Sequence, residues 1–76
     1  MKHEIEISDF GAWVKKRRKE KGMRQNILAA LVGRHENHIS HIETGDSMPK
    51  LDIAEKIVNA LGAELVIREH ENRESD

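Results

Sequence analysis

At 76 residues, with a formal net charge of −1 and no cysteine, the chain is one small domain. Disulfides and thiolate metal sites are excluded as staples, and a core this thin is marginal alone, so packing against a second copy is expected. No apolar run approaches the roughly 18 residues that span a membrane, and the opening "MKHEIEISDF" has no apolar stretch of the kind a signal peptide needs, so a reducing cytoplasm is the expected setting.

The charge is unevenly spread. Residues 1–9 carry −2, residues 69–76 carry −3, and the middle, 10–68, carries +4. Within the middle, "KKRRKEK" (15–21) holds six bases in seven residues. Such a run is either a solvated helix face or a surface that attracts phosphate, and clustering matters more than net charge for the second.

Ser8 or Asp9 is placed to cap a first helix over 9–21, with Phe10, Val14 and Arg18 on one face, Trp13 and Arg17 beside it, and Gly22 as the stop. "QNILAALV" (25–32) sets Ile27, Leu28 and Leu31 on a short apolar stripe, with Ala29 against a close neighbour, and Gly33 ends it. "HENHISHIE" (35–43) resumes helical spacing with Ile39 and Ile42 on its buried face. "TGDSMPK" (44–50) is a loop by composition, and "LDIAEKIVNALG" (51–62) is a helix carrying Leu51, Ala54, Ile57, Val58 and Leu61.

Beyond Gly62 the period changes. "AELVIRE" (63–69) alternates Ala63, Leu65 and Ile67 against Glu64, Val66 and Arg68, which predicts a strand. A lone strand leaves its backbone donors and acceptors unpaired. It therefore pairs with the alternating head "HEIEIS" (3–8) or with its own copy in a second subunit, and the second is favoured. Residues 70–76 have no apolar content and read as a disordered acidic tail, and residues 1–8 as an N-terminal arm.

The central feature is the pair of short helices 25–32 and 35–43. The turn between them, with Gly33, is too short for an antiparallel return, so the two cross steeply. This is helix-turn-helix geometry, though small α domains also use such corners without binding anything.

At these residues the chain resembles the XRE-type (Cro/repressor-like) helix-turn-helix family over about 10–62. The resemblance rests on Phe10-Gly11, Val14 and Arg18; on Gln25, Leu28 and Ala29; on the turn at Gly33; on "ISHIETG" (39–45); and on Pro49, Leu51 and "KIVNALG" (56–62). It implies a mainly α, lambda-repressor-like bundle of four to five short helices in 9–62. The C-terminal strand, 63–69, resembles that of HigA- and HipB-like antitoxins, and implies pairing across a dimer through Leu65, Val66 and Ile67. The family's base-reading positions fall on Glu36, Asn37 and His41, flanked by Ser40 and His38, while Gln25 would touch phosphate or an outer base. Asparagine pairs bidentately with adenine and a carboxylate accepts from cytosine N4, so the residue types suit the role. Arg18 and Glu43 match the family's ion pair between the first helix and the recognition helix. His35 stands where a serine or threonine N-cap is usual and Arg24 where threonine or serine is usual; both departures weaken capping, by about 1 kcal/mol each. Arg24 and Arg34 would supply phosphate contacts of their own. Arg17 falls where an apolar residue is common, and Trp13 is placed to cover that gap.

His35, His38 and His41, three residues apart, invite a metal reading. Positions i and i+6 lie about 240° apart on a helix, so the three rings do not converge, and neither a metal nor a cofactor is expected. No nucleophile stands beside a base and no glycine-rich phosphate loop is present, so an enzyme is not expected. The expected function is a sequence-specific, dimeric transcriptional regulator, most simply a repressor of its own operator, with two half-sites on double-stranded DNA. The alternative is an antitoxin that binds a toxin protein and represses its own operon. A bare dimerisation module is the third reading.

Overall fold

The computed structural model describes residues 5–67 and 69. A 3-10 turn, Ile7–Asp9, leads into four helices: α1 (Phe10–Glu20), α2 (Gln25–Val32), α3 (Glu36–Thr44) and α4 (Leu51–Ala60). Asp9 occupies the N-cap of α1, yet neither it nor Ser8 makes a side-chain cap bond. The chain enters α1 from the 3-10 turn instead, with the Asp9 N–H donating to Glu6 O at 2.8 Å.

One face of each helix builds the core. Val14, Leu28, Ile39, Ile42, Ile57 and Leu61 are the fully buried side chains, joined by Ala29, Val32 and Ile53, with Phe10, Trp13 and Met23 packed at the edge. Burying an aliphatic side chain of this size contributes roughly 1.5–3 kcal/mol, and these few residues carry most of what a chain of this length can gain. The stripe on α2 runs through Leu28, Ala29 and Val32; Ile27 and Leu31, expected on it, are 48% and 60% exposed. On α4, Leu51 is exposed and Ile53 is buried in its place. In helices of only two to three turns the apolar residues fit more than one candidate stripe, and the neighbouring helices select one.

Gly11 shows how closely α1 approaches α3. A β-carbon there would overlap the carbonyl oxygen of Ile42 and stand 3.1 Å from that of Glu43. No other residue permits this backbone approach.

The turn between α2 and α3 is set by Gly33, at φ 71° and ψ 35°. Its N–H reaches Ala30 O at 3.3 Å, and the Arg34 N–H reaches Ala29 O at 2.9 Å. This Schellman closure satisfies the last carbonyls of α2 and turns the chain into α3 within three residues.

Among the described residues there is no strand. Residues 63–67 leave α4 without a ladder partner, and Val66 and Ile67 are more than 70% exposed. The expected strand is therefore not formed within one chain, and the described part of the head does not pair with it. The physical reason is the one that makes lone strands unstable: a ladder needs a second strand, and the described residues offer none. Arg68 and the tail at 70–76 lie outside the described residues, as does the start of the arm. No described helix is long and apolar enough to cross a membrane.

Candidate nucleic-acid interface

The site is built around Arg18, which is 7% exposed in α1. Its Nε donates to Glu43 Oε2 at 2.6 Å, its Nη2 to Glu43 Oε1 at 3.1 Å, and its Nη1 to Met23 O at 2.7 Å. Glu43 belongs to α3 and is equally buried. Gln25, at the first turn of α2, adds a bond from its Nε2 to Glu43 Oε1 at 3.0 Å. A carboxylate only accepts, so the amide nitrogen of Gln25 must face Glu43, and its carbonyl oxygen is turned elsewhere. Three helices are thus tied at one carboxylate. Among the described residues no buried side-chain nitrogen or oxygen is left without a partner.

This anchor fixes the rotation of α3. Its buried side is Ile39, Ile42 and Glu43. At about 100° per residue, the opposite side carries Asn37, His41 and Thr44, with Ser40 next to them. Asn37, His41 and Thr44 are exposed, and Ser40 and His38 are half-buried at the flanks. Glu36, at the first position of α3, is exposed on the edge nearest Glu43, where its charge suits the positive end of the helix. Of the expected reading residues, the structure places Asn37 and His41 in the centre of the outward face. Glu36, His38 and Ser40 lie around it.

The approaches to this face are basic and polar. Arg24 is exposed at the N-cap of α2 and makes no cap bond. Arg34 is exposed in the turn, its guanidinium 3.4 Å from Gly33 O. His35 overturns the expectation of a weakened cap: its Nδ1 accepts the Asn37 N–H at 3.2 Å. An unprotonated imidazole nitrogen is an acceptor, so it performs the task of a serine hydroxyl.

The run 15–21 divides by function. Arg18 is consumed by the ion pair. Arg17 donates from Nε to Leu61 O at 3.1 Å and lies 3.6 Å from Glu20. Lys21 lies over Gly62, its Nζ 3.2 Å from where a β-carbon would stand. Arg17 and Lys21 thus sit at the C-terminal end of α4, where cations complement the helix dipole. Trp13, placed to fill the gap left by the missing apolar residue at position 17, packs against the core, and Arg17 itself makes a direct bond. Lys15, Lys16 and Lys19 remain exposed on α1.

The three histidines do not form a metal cluster; among the described residues no group of three or more metal-ligating side chains converges. His41 instead meets Asp46 of the following loop, Nδ1 to Oδ2 at 3.6 Å. Sequence reasoning missed two residues here. Thr44 was within reach, since it continues the Asn37 and His41 spacing by three residues. Asp46 was not, because only the fold of the loop brings it to His41.

Known proteins agree with this architecture. "MDT Protein" and a chain of the "HipA-HipB-O2-O3 complex" each superpose with a TM-score of 0.73. Each is 20% identical, covering 93% of this chain and 100% of its own, a likeness that shows the shared fold. No curated protein sequence matches significantly. The helix-turn-helix family model HTH_3 matches residues 14–67, which include α2, α3 and α4 entire. The chain belongs to the XRE-type helix-turn-helix family and is a DNA-binding transcriptional regulator.

Proposed function

We propose that the protein is a dimeric repressor that lays α3 in the major groove of its own operator, without catalysis and without a cofactor. The observation that carries this reading is the outward face of α3. Asn37 and His41 stand exposed on a helix whose opposite side is pinned by Arg18 and Gln25 through Glu43. A recognition element must hold its side chains to within a fraction of an ångström, and a buried, fully bonded anchor does so.

In this reading Asn37 and His41 contact base edges, with Glu36, Ser40 and His38 around them. Arg24, Gln25, Arg34 and His35 contact phosphates at the ends of α2 and α3. The second N–H of Gln25 and its carbonyl oxygen are the groups left for DNA once Glu43 is satisfied. Two subunits read half-sites about one helical turn apart. They join through residues 63–69, with Leu65, Val66 and Ile67 supplying the apolar side chains and a partner supplying the missing ladder. The bacterial cytoplasm is the setting.

The second reading, an antitoxin that also binds a toxin protein, is favoured by the likeness to a chain of the "HipA-HipB-O2-O3 complex". It shares the DNA-binding core with the first. Co-purification with the product of an adjacent short gene distinguishes them.

The deciding experiment titrates the protein onto DNA from upstream of its own gene and onto scrambled DNA at several salt concentrations. Tight binding to the first alone, with a repeated half-site in the footprint, supports an autorepressor. Equal and steeply salt-sensitive binding to both, with a random-sequence selection yielding no consensus, counts against sequence reading by α3.

A further inference from the structure

Asp46 is an anomaly on this surface. It places a carboxylate beside the centre of the face that is proposed to meet a polyanion, where it would repel phosphate. Its position is not accidental to the backbone. The carbonyl oxygen of His41 accepts the Asp46 N–H at 2.9 Å, the Ser47 N–H at 3.2 Å and the Thr44 hydroxyl at 3.1 Å. The loop that ends α3 is therefore folded onto the same residue whose ring the carboxylate meets, Oδ2 to Nδ1 at 3.6 Å. Both side chains are otherwise open to solvent, 61% and 68% exposed.

We infer that Asp46 is a positioning residue for DNA reading. It holds the imidazole of His41 by Nδ1 so that Nε2 alone is presented to a base edge. This rests on the reading of α3 as the recognition helix. The chemistry follows from the two ring nitrogens. A neutral imidazole has one donor and one acceptor, and which is which is set by the partner of the other. At 3.6 Å the contact is longer than a hydrogen bond and acts through charge: the negative oxygen beside Nδ1 favours the ring orientation and the tautomer that place the hydrogen there. Nε2 is then an acceptor, fit for the exocyclic amine of cytosine or adenine in the major groove. Without Asp46 the ring is free to rotate about its side-chain bonds and to exchange tautomers, so it would offer donor or acceptor to whatever base stands there. The carboxylate thus exchanges some phosphate attraction for discrimination at one position, a device of specificity rather than affinity.

The test uses full-length wild type, His41→Ala, Asp46→Ala, Asp46→Asn and the double variant H41A/D46A. Each is titrated onto the selected operator and onto duplexes in which every base of one half-site is replaced in turn. Thermal melts of each variant establish folding; the loop's backbone bonds do not involve the Asp46 side chain. The wild type is expected to discriminate at the position read by His41 by about tenfold or more. Asp46→Ala should lose most of that discrimination at that position and leave the others unchanged. Asp46→Asn keeps an acceptor oxygen in place without the charge and should retain part of it, and the double variant should be no worse than His41→Ala. The inference is overturned if Asp46→Ala tightens all duplexes alike, which is the signature of a removed negative charge and nothing more. It is also overturned if the Asp46→Ala and His41→Ala effects simply add. Asn37→Ala on the same panel separates the two levels. If Asn37→Ala erases preference at its own position while Asp46 behaves additively, α3 reads DNA and Asp46 does not position His41. If the wild type shows no preference at any position, both readings fall.

Discussion

Arg18 and Glu43 hold each other at both carboxylate oxygens, 2.6 and 3.1 Å, with almost no solvent access to either side chain. The pair joins the first helix to the third across 25 residues of sequence, and Gln25 completes it from the second. Removing one partner strands the other charge in the interior, at a cost of about 3–5 kcal/mol. Arg18→Ala and Glu43→Ala should each bring the protein close to unfolding under ordinary conditions. A double variant, Arg18→Met with Glu43→Leu, should be more stable than either single one, because no buried charge is left. Urea unfolding followed by Trp13 fluorescence checks this. Loss of DNA binding in the single variants would report unfolding, not a lost contact.

Gly11 is expected to tolerate no side chain. A methyl group would meet the Ile42 carbonyl oxygen, and that oxygen belongs to backbone that cannot rotate aside. Alanine is the better helix former by about 1 kcal/mol, so on propensity Gly11→Ala would stabilise α1. The overlap should reverse the sign and cost about 1–3 kcal/mol net. A rise in the melting temperature of Gly11→Ala would show that α1 can move off α3 more cheaply than the packing suggests.

His35 caps α3 through its ring nitrogen. His35→Ala should lose about 1 kcal/mol, and His35→Ser or His35→Asp should restore it, since each returns an acceptor to the N-cap. Chemical denaturation of the three variants is sufficient. Equal stability of all three would mean the 3.2 Å bond contributes nothing measurable.

The two kinds of DNA contact should separate experimentally. Asn37→Ala should relax sequence preference at one position by about 1–3 kcal/mol if its contact is bidentate. Arg34→Ala, in the exposed turn, should weaken all duplexes similarly and reduce the salt slope by about one. A sequence-selective effect of Arg34→Ala would move it from phosphate to base contact.

Leu65→Lys together with Ile67→Lys should give a monomer in sedimentation while leaving the melting of the helical core little changed. Ile67 is 76% exposed in the single chain, so a charge there costs little until a partner arrives; Leu65 is half-buried, and Ile67→Lys alone separates a lost partner from a loosened core. A dimer that persists would place the subunit contact outside Leu65 and Ile67.

The sequence alone determined the four helices, each to within two residues at either end. Helix ends are local events: all four helices are closed within two residues by a glycine at positive φ, and a glycine's tolerance of positive φ depends on no neighbour. The central pattern of α2, Gly33 and α3, with Asn37 and His41 outward, was legible for the same reason, since helical spacing fixes which residues share a face. Tertiary structure decided the rest. Which apolar stripe of α2 is buried depended on where α3 and α4 lie, so Ile27 and Leu31 could not be told from Leu28 and Val32 by spacing in so short a helix. The division of the basic run into an ion pair, a cap on α4 and an exposed remainder depended on the distance between α1 and the ends of other helices. The histidine cap and the Asp46 contact arise from side chains meeting across turns, where sequence spacing carries no distance. The segment after Gly62 marks the limit in the other direction. Its alternation predicts a strand, yet a strand is a property of two segments, and the described residues supply no partner for it.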